Sequence, residues 1–245
     1  MTSTLLRKMC LHSMRFLICF LFLLPFSHDH LQAQSVDEVV KSLRTKLLSV
    51  KDYEAVGKLK TDVAFLKIPL STVRIYYRYP DQFRIKKEKG VSILPKGGIN
   101  VNMGTLLSLG NQTALASGRI NWKGSDLAVY KLIPNDPVSD VVLTTLYVDD
   151  RQMLIRKTIT TTRENGTYEM EMDYGKFAKW GLPDKTVVLF NTKEYKLPKG
   201  ITFEYDPGTS EKKNKQPSST KGRIELYYEN YEINKGLKNE VFSGQ

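Results

Sequence analysis

The residues that most often carry catalysis or bind metal ions are concentrated at one end of this sequence. Both cysteines, Cys10 and Cys19, and all three histidines precede Ala33. A protein that begins after Ala33 therefore lacks a thiol nucleophile, a histidine base, disulfides and every zinc site built from Cys or His. Glu169 and Glu171 place two carboxylates on one strand face, but such pairs are common on solvated strands. We therefore predict that the protein is not an enzyme and has no cofactor or metal.

The first 33 residues have the order of charge and hydrophobicity expected of a secretory signal peptide. Basic residues precede an apolar run from Phe16 to Phe26, which is too short to span a membrane, and Ala33 is a small residue suited to cleavage. We expect residues 1–33 to be removed and residues 34–245 to act as a single soluble domain outside the cytoplasm. Two alternatives stay open: the segment is an uncleaved anchor, or translation starts at Met14.

The charge of the mature chain is strongly positive. Removing residues 1–33 takes three Lys or Arg and one Asp from the 37 basic and 26 acidic residues, which leaves 34 against 25, a net charge of +9. For an exported protein we expect such a charge to favour anionic lipid headgroups or acidic partners rather than nucleic acid. A basic surface that only keeps the protein soluble is the alternative.

Hydrophobic periodicity predicts one helix followed by many strands. Ser35 and Glu38 have the spacing of a capping box, and the apolar residues that follow recur at helical spacing for about four turns. After the helix the period changes to two, which is typical of half-buried strands and predicts an antiparallel meander. The predicted strands are Tyr53–Val63, Ile68–Tyr79, Gln82–Lys87, Ser117–Trp122, Asp126–Leu132, Asp140–Val148, Met153–Thr162, Thr167–Tyr174, Thr186–Phe190, Ile201–Tyr205 and Arg223–Tyr231.

Two turns and two longer segments interrupt the predicted strands. Asp149-Asp150 and Asn165-Gly166 suit two-residue hairpin turns, because these residues tolerate the backbone conformations that such turns need. The apolar segment from Ile99 to Gly110 predicts a short helix or loop. The polar, Pro- and Ser-rich stretch at about residues 208–221 predicts a flexible insertion.

One side of the predicted sheet is large and apolar, because bulky side chains alternate with charged ones along its strands. A sheet of about ten strands curls and must cover this side, yet the sequence offers only one convincing helix and one short apolar segment as cover. We therefore predict an apolar hollow suited to acyl chains, with a packed core as the alternative. The candidate lining residues are Val73, Ile75, Tyr77, Tyr79, Tyr168, Met170, Met172, Ile224, Leu226 and Tyr228, and the candidate lid residues are Leu106, Leu107 and Leu109.

Several segments together resemble the LolA-like periplasmic carriers of outer-membrane lipoproteins, whose superfamily includes the LolB and LppX types. The helix followed by DYEAVGKLKTDV resembles their opening helix and first strand, and IYYRYPDQFRI resembles their basic-x-Pro-x-x-Phe-Arg motif. The sequence also resembles the family's paired central strands in DLAVYKLIPND and TTLYVDDRQMLIRKTITTTRENGTYEMEMDY. It resembles their closing strand in RIELYYENYEINKGLKNEVF. The resemblance covers nearly the whole mature chain.

This resemblance implies both a fold and a function. The fold would be mainly antiparallel β with an N-terminal helix: a half-open, curved barrel of about ten strands closed by short helices. The function would be that of a periplasmic chaperone that shields the acyl chains of lipoproteins or related lipids, for lipoprotein sorting, protein transport and outer-membrane biogenesis. Its partners would be an inner-membrane release complex and an outer-membrane acceptor. A lipid-sensing or structural envelope domain of the same fold is the alternative.

Two positions depart from the family pattern. The family carriers usually have Arg immediately before the motif's Pro, where it helps to latch a helical lid, whereas Tyr79 stands there in this sequence. Arg78 precedes Tyr79, but neighbouring side chains on a strand point to opposite faces, so Arg78 is not a simple substitute. Tyr147 stands where family members often have Trp. The change before Pro80 leaves the latching of a lid as an open question.

N-terminal sequencing tests the predicted export. The mature protein should begin at or near Gln34 and fractionate with soluble periplasmic proteins, because the apolar run is too short to remain in the membrane. Reducing agent should leave its Tm unchanged, since no cysteine follows Ala33. Recovery in the membrane pellet with Met1 or Met14 intact would contradict cleavage.

Overall fold

A computed structural model of the protein describes residues 35–62, 70–80, 82–87, 112–164, 166–191 and 221–242. These residues form one α-helix, ten β-strands and two short 3-10 helices. Several predictions fall outside the described residues. They are the signal segment 1–33, the strand Ile201–Tyr205, the apolar segment 99–110 with the lid candidates Leu106, Leu107 and Leu109, and all of the insertion at about 208–221 except Lys221, which begins a strand.

The helix α1 spans Val36–Leu48 and begins at the predicted capping box. The Ser35 hydroxyl accepts a hydrogen bond from the Glu38 backbone N–H (3.2 Å), and the Glu38 carboxylate accepts one from the Ser35 backbone N–H (3.2 Å). Such caps stabilise a helix by roughly 1 kcal/mol, because they satisfy N–H groups that the helix start leaves unpaired. Val39 and Leu43 are buried, so the helix presents one apolar side to the sheet. No described helix is long and apolar enough to span a membrane.

Ten strands form a single antiparallel sheet. They are β1 (Asp52–Asp62), β2 (Ser71–Arg78), β3 (Gln82–Lys87), β4 (Gln112–Trp122), β5 (Ser125–Pro134), β6 (Val141–Asp149), β7 (Leu154–Thr162), β8 (Thr167–Asp173), β9 (Lys185–Asn191) and β10 (Lys221–Ile233). Their order is β3-β2-β1-β10-β9-β8-β7-β6-β5-β4, and the sheet is curved and not closed, with β3 and β4 at opposite edges. The mainly antiparallel β fold with an N-terminal helix is therefore confirmed.

The predicted strand bounds agree with the observed ones to within a few residues, except at the start of β4. This strand begins at Gln112, five residues before the predicted start at Ser117. A bulge between Ala116 and Arg119, with Gly118 at φ 86°, interrupts the pairing with β5. Because a bulge shifts the inward and outward positions by one residue, the first half of β4 does not continue the alternation of the second half.

The inner side of the sheet carries two apolar clusters. In the first cluster α1 packs against β5 to β9, and in the second β1, β2, β3 and β10 pack with the segment around Leu182. Ile224 contacts both clusters, so the apolar face is continuous. The first cluster contains Val39, Leu43, Ala128, Tyr130, Leu132, Leu146, Val148, Ile155, Met170, Met172, Val188 and Phe190. The second contains Val50, Tyr53, Ala55, Leu59, Val73, Ile75, Tyr77, Ile85, Leu182, Leu226, Tyr228 and Tyr231.

The turn between β6 and β7 is longer than the two residues that the sequence predicted. Asp149 is the last residue of β6, and four residues separate it from Leu154, the first residue of β7. The Asp149 carboxylate accepts a hydrogen bond from the Gln152 backbone N–H (3.2 Å), and Met153 has a left-handed backbone (φ 50°). The aspartate side chain thus stabilises a wider turn by bonding to the backbone itself. The turn between β7 and β8 is also longer than the predicted two residues, because four residues separate Thr162 from Thr167. Gly166 has φ 70° there, the conformation for which a glycine is suited.

Gly222 allows an aromatic ring to lie across β10. It is opposite Phe190 in the β9–β10 pair, and a Cβ atom at Gly222 would come within 2.5 Å of the Phe190 ring. Because Gly222 has no side chain, the Phe190 ring occupies the space above it on the inner face. Two bulky side chains at these opposite positions would collide.

The substitution Gly222→Ala tests this close approach. It should lower the free energy of unfolding by about 1–3 kcal/mol, the usual cost of overpacking a core. In a Phe190→Leu background the same change should cost less, because the smaller side chain leaves room for a methyl group. Urea unfolding of the four proteins measures both costs, and equal costs in the two backgrounds would show that the ring does not limit this position.

Candidate functional site on the inner face of the sheet

Nine of the ten candidate lining residues lie together on the inner face. Seven of them belong to the two apolar clusters: Met170 and Met172 to the first, and Val73, Ile75, Tyr77, Leu226 and Tyr228 to the second. Tyr168 packs against the first cluster and Ile224 against both. The exposed fraction is 0% for Val73, Ile75 and Met170, so this part of the face is fully covered in the structure.

Cross-strand pairing explains why these residues meet. Ile224 of β10 is opposite Val188 of β9, which is opposite Met170 of β8. Met170 is opposite Thr158 of β7, and Thr158 is opposite Leu146 of β6. Residues directly opposite each other in an antiparallel pair share a face, so this row crosses five strands on the inner side.

Tyr79, the tenth candidate, lies outside the face. The strand β2 ends at Arg78, and Tyr79 is 41% exposed. Its backbone N–H donates to the Lys51 carbonyl (2.8 Å), and the Lys51 ammonium lies 5.6 Å from the centre of its ring. The alternation that groups Tyr79 with Tyr77 holds only within a strand, so it fails where the strand ends.

A group of aromatic rings forms a wall at one end of the inner face. Tyr53 lies 5.3 Å from Tyr77 and 5.1 Å from Tyr231, measured between ring centres. Tyr231 stacks on Tyr228 at 5.0 Å and meets Phe177 edge to face at 4.9 Å. Ring pairs of these kinds each contribute about 0.5–1.5 kcal/mol beyond simple burial. The rings therefore hold this end of the face in a defined arrangement.

Burial strengthens the preference of these tyrosines for the neutral form. It raises the pKa of Tyr53, Tyr228 and Tyr231, and neighbouring tyrosines raise the pKa of Tyr53 and Tyr231 further. The Tyr231 hydroxyl donates a hydrogen bond to the Pro183 carbonyl (2.7 Å), which satisfies it without charge. An uncharged wall suits contact with hydrocarbon, because a buried charge is costly. Sequence reasoning missed Tyr53 and Tyr231, although Tyr53 shares its alternation with buried Ala55 and could have been found.

Four threonines that are almost completely buried also face the interior, and sequence reasoning missed all of them. Thr144, Thr158, Thr160 and Thr186 are at most 3% exposed. Their cross-strand partners include Leu132, Met170, Tyr168 and Leu226, all of the inner face. Threonine counts as polar in a hydrophobicity pattern, so alternation alone does not place these residues inward. They give the apolar face a set of hydroxyl groups.

Arg78 fastens the segment that follows β10 instead of lining the face. Its Nη1 donates to the Leu237 carbonyl (3.0 Å), and its guanidinium lies 4.8 Å from the centre of the Phe242 ring. Arg84 of β3 donates in the same way to the Val241 carbonyl (3.1 Å). Two arginines of the β2–β3 hairpin thus hold the segment after β10 against this edge of the sheet.

Glu169 and Glu171 lie on the outer face, where separate lysines neutralise them. Lys157 pairs with Glu169 (2.5 Å), and Lys123 pairs with Glu171 (2.8 Å). Each of the two carboxylates is therefore engaged by its own lysine. In the part of the chain that the structure describes, no group of three or more Asp, Glu, His or Cys could hold a metal ion.

Glu225 is a more deeply buried acid on the same outer face. Its carboxylate accepts hydrogen bonds from the Tyr227 hydroxyl and from Arg223 Nε (2.9 Å), and it lies 3.4 Å from the Lys185 ammonium. The hydrogen bond from Tyr227, followed by that from Arg223, lowers the pKa of Glu225 to about 2. Glu225 therefore stays ionised at neutral pH and links β10 to β9 on the side opposite the apolar face.

Solved structures of other proteins have the same architecture. A domain from Vibrio parahaemolyticus named for outer-membrane lipoprotein sorting superposes with a TM-score of 0.53 and 11% identity, over 84% of this chain and 94% of that one. A LolA superfamily protein from Nitrosomonas europaea superposes with a TM-score of 0.53 and 8% identity, over 86% and 99%. The chain has the LolA-like fold. A DUF1329 family protein from Desulfovibrio piger reaches a TM-score of 0.50 with 10% identity, over 85% and 97%.

The likeness to these structures is a likeness of fold. At identities of 8–11% it identifies the backbone arrangement and not the role of any side chain. No protein-family model matches the sequence, and no curated protein matches it either. The LolA-like architecture that the strand motifs predicted is confirmed, and what the inner face binds must be argued from its own residues.

Acid unfolding of a Glu225→Gln variant tests the outer-face cluster. Because the folded-state pKa of Glu225 is depressed, its ionised form stabilises the protein above the unfolded-state pKa of roughly 4.3, and this stabilisation is lost as the pH falls through about 2. At pH 7 the variant should unfold with a free energy about 1–3 kcal/mol lower than wild type, the size expected for hydrogen bonds to a charged group. The difference should disappear near pH 2.

Glu229→Gln is the matched control on the same strand. Glu229 pairs with Lys58 at 2.8 Å, but both side chains are nearly half exposed, at 47% and 49%. Exposed pairs contribute less than about 1 kcal/mol, so this variant should unfold almost like wild type at every pH. Equal losses in the two variants would contradict the role assigned to Glu225.

Proposed function

We propose that this protein is a periplasmic carrier that binds the acyl chains of lipoproteins or related lipids against the inner face of its sheet and shields them from water. This binding forms and breaks no covalent bond. Transfer of hydrocarbon from water to an apolar site stabilises the complex by about 0.8 kcal/mol per methylene group, which makes acyl chains strong ligands for such a face.

The observation that supports this function is the continuous apolar face itself. It runs from β1, β2 and β3 through Ile224 to the strands under α1, and its middle is lined by Met170 and Met172. Methionine is unbranched and polarisable, so it adapts to ligands of irregular shape. Within the described residues α1 contributes to the first cluster only, through Val39 and Leu43. The second cluster is therefore the part of the face with the least helical cover from α1.

Three further features are consistent with a carrier in the envelope. The N-terminal segment has the pattern of an export signal, and the mature chain has a net charge of +9, which favours anionic membrane surfaces and acidic partners. One protein of the same fold is named for lipoprotein sorting. We propose that an inner-membrane release complex loads the carrier and that an outer-membrane acceptor unloads it.

A second candidate function rests on how completely the face is covered. Met172 is 1% exposed, Leu226 2% and Tyr77 4%, values typical of a packed core. A structural or lipid-sensing envelope domain without carrier activity would need no more space than this. The two candidates differ in whether the covering groups separate to admit a ligand.

Charged substitutions on the inner face distinguish the two functions. In a carrier, Met170→Glu or Leu226→Glu should weaken binding of a fluorescent fatty-acyl probe at least tenfold, because a buried carboxylate beside hydrocarbon costs more than about 1.4 kcal/mol. The circular dichroism spectrum should stay close to that of wild type. The matched control is Val142→Glu, since Val142 is 42% exposed and should affect neither property.

Alanine variants complete the comparison. Met170→Ala should lower the free energy of unfolding by less than the roughly 2–5 kcal/mol usual for a packed core, because a residue that lines a binding site has fewer fixed partners to lose. Unfolding of both Glu variants, together with failure of the wild type to bind the probe, would reject the carrier in favour of the structural domain.

A further inference from the structure

The hydroxyl group of Thr158 is fully buried and has no hydrogen-bond partner among the described residues. Thr158 is 0% exposed, and its Oγ1 atom is inaccessible to solvent. Its directly opposite neighbours on the inner face are Leu146 of β6 and Met170 of β8, both members of the first apolar cluster. A polar atom therefore points into the middle of the proposed binding face.

The other buried threonines of this face have partners. The hydroxyls of Thr144 and Thr160 lie 3.3 Å apart and hydrogen-bond to each other. Thr186 hydrogen-bonds with Tyr228, and Thr160 also with Tyr168. Thr158 is therefore buried to the same degree as these threonines but differs from them in lacking a hydrogen-bond partner among the described residues.

An unpaired buried hydroxyl is unfavourable, and an apolar side chain of the same shape avoids the cost. Valine has the size and branching of threonine and is equally suited to a strand. A structure that only needed to fill the space beside Met170 would be more stable with valine at position 158. The threonine is therefore explained most directly by a partner that is present when a ligand is bound.

We propose that the Thr158 hydroxyl donates a hydrogen bond to the carbonyl oxygen of an acyl ester or amide in the bound ligand. This inference rests on the proposed function, because it places a ligand on the same face. The carbonyl is the polar group at the head of an acyl chain, and beyond it the chain is hydrocarbon. A hydroxyl donor at Thr158 thus fixes the head of the chain at β7, while Met170 and Met172 of β8 contact the hydrocarbon that follows.

The ligand class that fits is a molecule with ester- or amide-linked acyl chains. Glycerolipids and acylated lipoproteins share this chemistry, and both differ from ether-linked chains, in which a methylene group replaces the carbonyl. Ether-linked analogues keep the length and hydrophobicity of the chains. They therefore isolate the contribution of the carbonyl from that of hydrocarbon burial.

Competition between ester and ether ligands tests the inference with the full mature protein. A fluorescent fatty-acyl probe is displaced by a diacyl phospholipid or by its diether analogue, and in a second arm by a synthetic diacylated lipopeptide or by its ether-linked form. Wild type should prefer ester to ether by about three- to tenfold, the contribution of one hydrogen bond. The arm in which the preference appears identifies the source of the acyl chain.

Two variants at one position separate the hydroxyl from the shape of the side chain. Thr158→Val should abolish the ester preference, keep binding of the ether ligand, and leave the Tm unchanged or higher. Thr158→Ser retains the hydroxyl and should keep the preference.

Equal binding of ester and ether by wild type would overturn the inference while leaving the carrier function intact. So would a Tm several degrees lower in Thr158→Val, because the hydroxyl would then have a structural role. Binding of neither ligand would overturn the proposed function itself.

Discussion

Burial of one apolar face of the sheet governs the architecture of this protein. The inner side chains form two clusters joined by Ile224, and burial of apolar surface contributes roughly 25 cal/mol per Å². No pair of strands can bury such a face alone, so the sheet curves and α1 packs across the strands of the first cluster. The contact of Phe190 with Gly222 and the aromatic wall around Tyr231 both belong to this closely packed side.

The same requirement explains the long-range pairing of β1 with β10. Without it, β1 to β3 and β4 to β10 would be two separate sheets, each with an additional edge and an incomplete core. The pairing is reinforced at its end by Asn234, whose side chain accepts from the Lys51 backbone N–H (2.7 Å) and donates to the Ser49 carbonyl (2.9 Å). Asp52 accepts from the backbone N–H of Gly236 (3.1 Å). The segment after α1 is thereby tied to the segment after β10.

The two sides of the sheet differ in electrostatics, and this difference bears on function. On the outer side, acids such as Glu171 and Glu225 are matched with lysine or arginine, so charge is balanced in contact with water. On the inner side, the buried polar groups of the described residues include tyrosine and threonine hydroxyls, and burial raises the pKa of the Tyr53 hydroxyl. A face that is apolar, uncharged and supplied with a few hydroxyl groups matches the chemistry of an acyl chain and its carbonyl.

Local patterns of residues were sufficient to predict the helix and most of the strands. Ser35 and Glu38 located the start of α1, and alternation of bulky and charged residues located the strands and placed Met170 and Met172 inward. These signals are local, because the capping box spans one turn and a strand repeats every two residues. They failed where the local repeat is interrupted, as at the end of β2, where Tyr79 is exposed.

The pairing of strands that are not consecutive, such as β1 with β10, and the partners of polar groups depend on tertiary contacts. Contacts between residues far apart in sequence place β10 between β1 and β9 and attach Arg78 to the segment after β10. They also leave the Thr158 hydroxyl without a hydrogen-bond partner among the described residues. The pattern that places Thr158 on a strand does not reveal whether the atoms opposite it accept a hydrogen bond. That property depends on the side chains that other strands supply, so it is fixed only when the sheet has assembled.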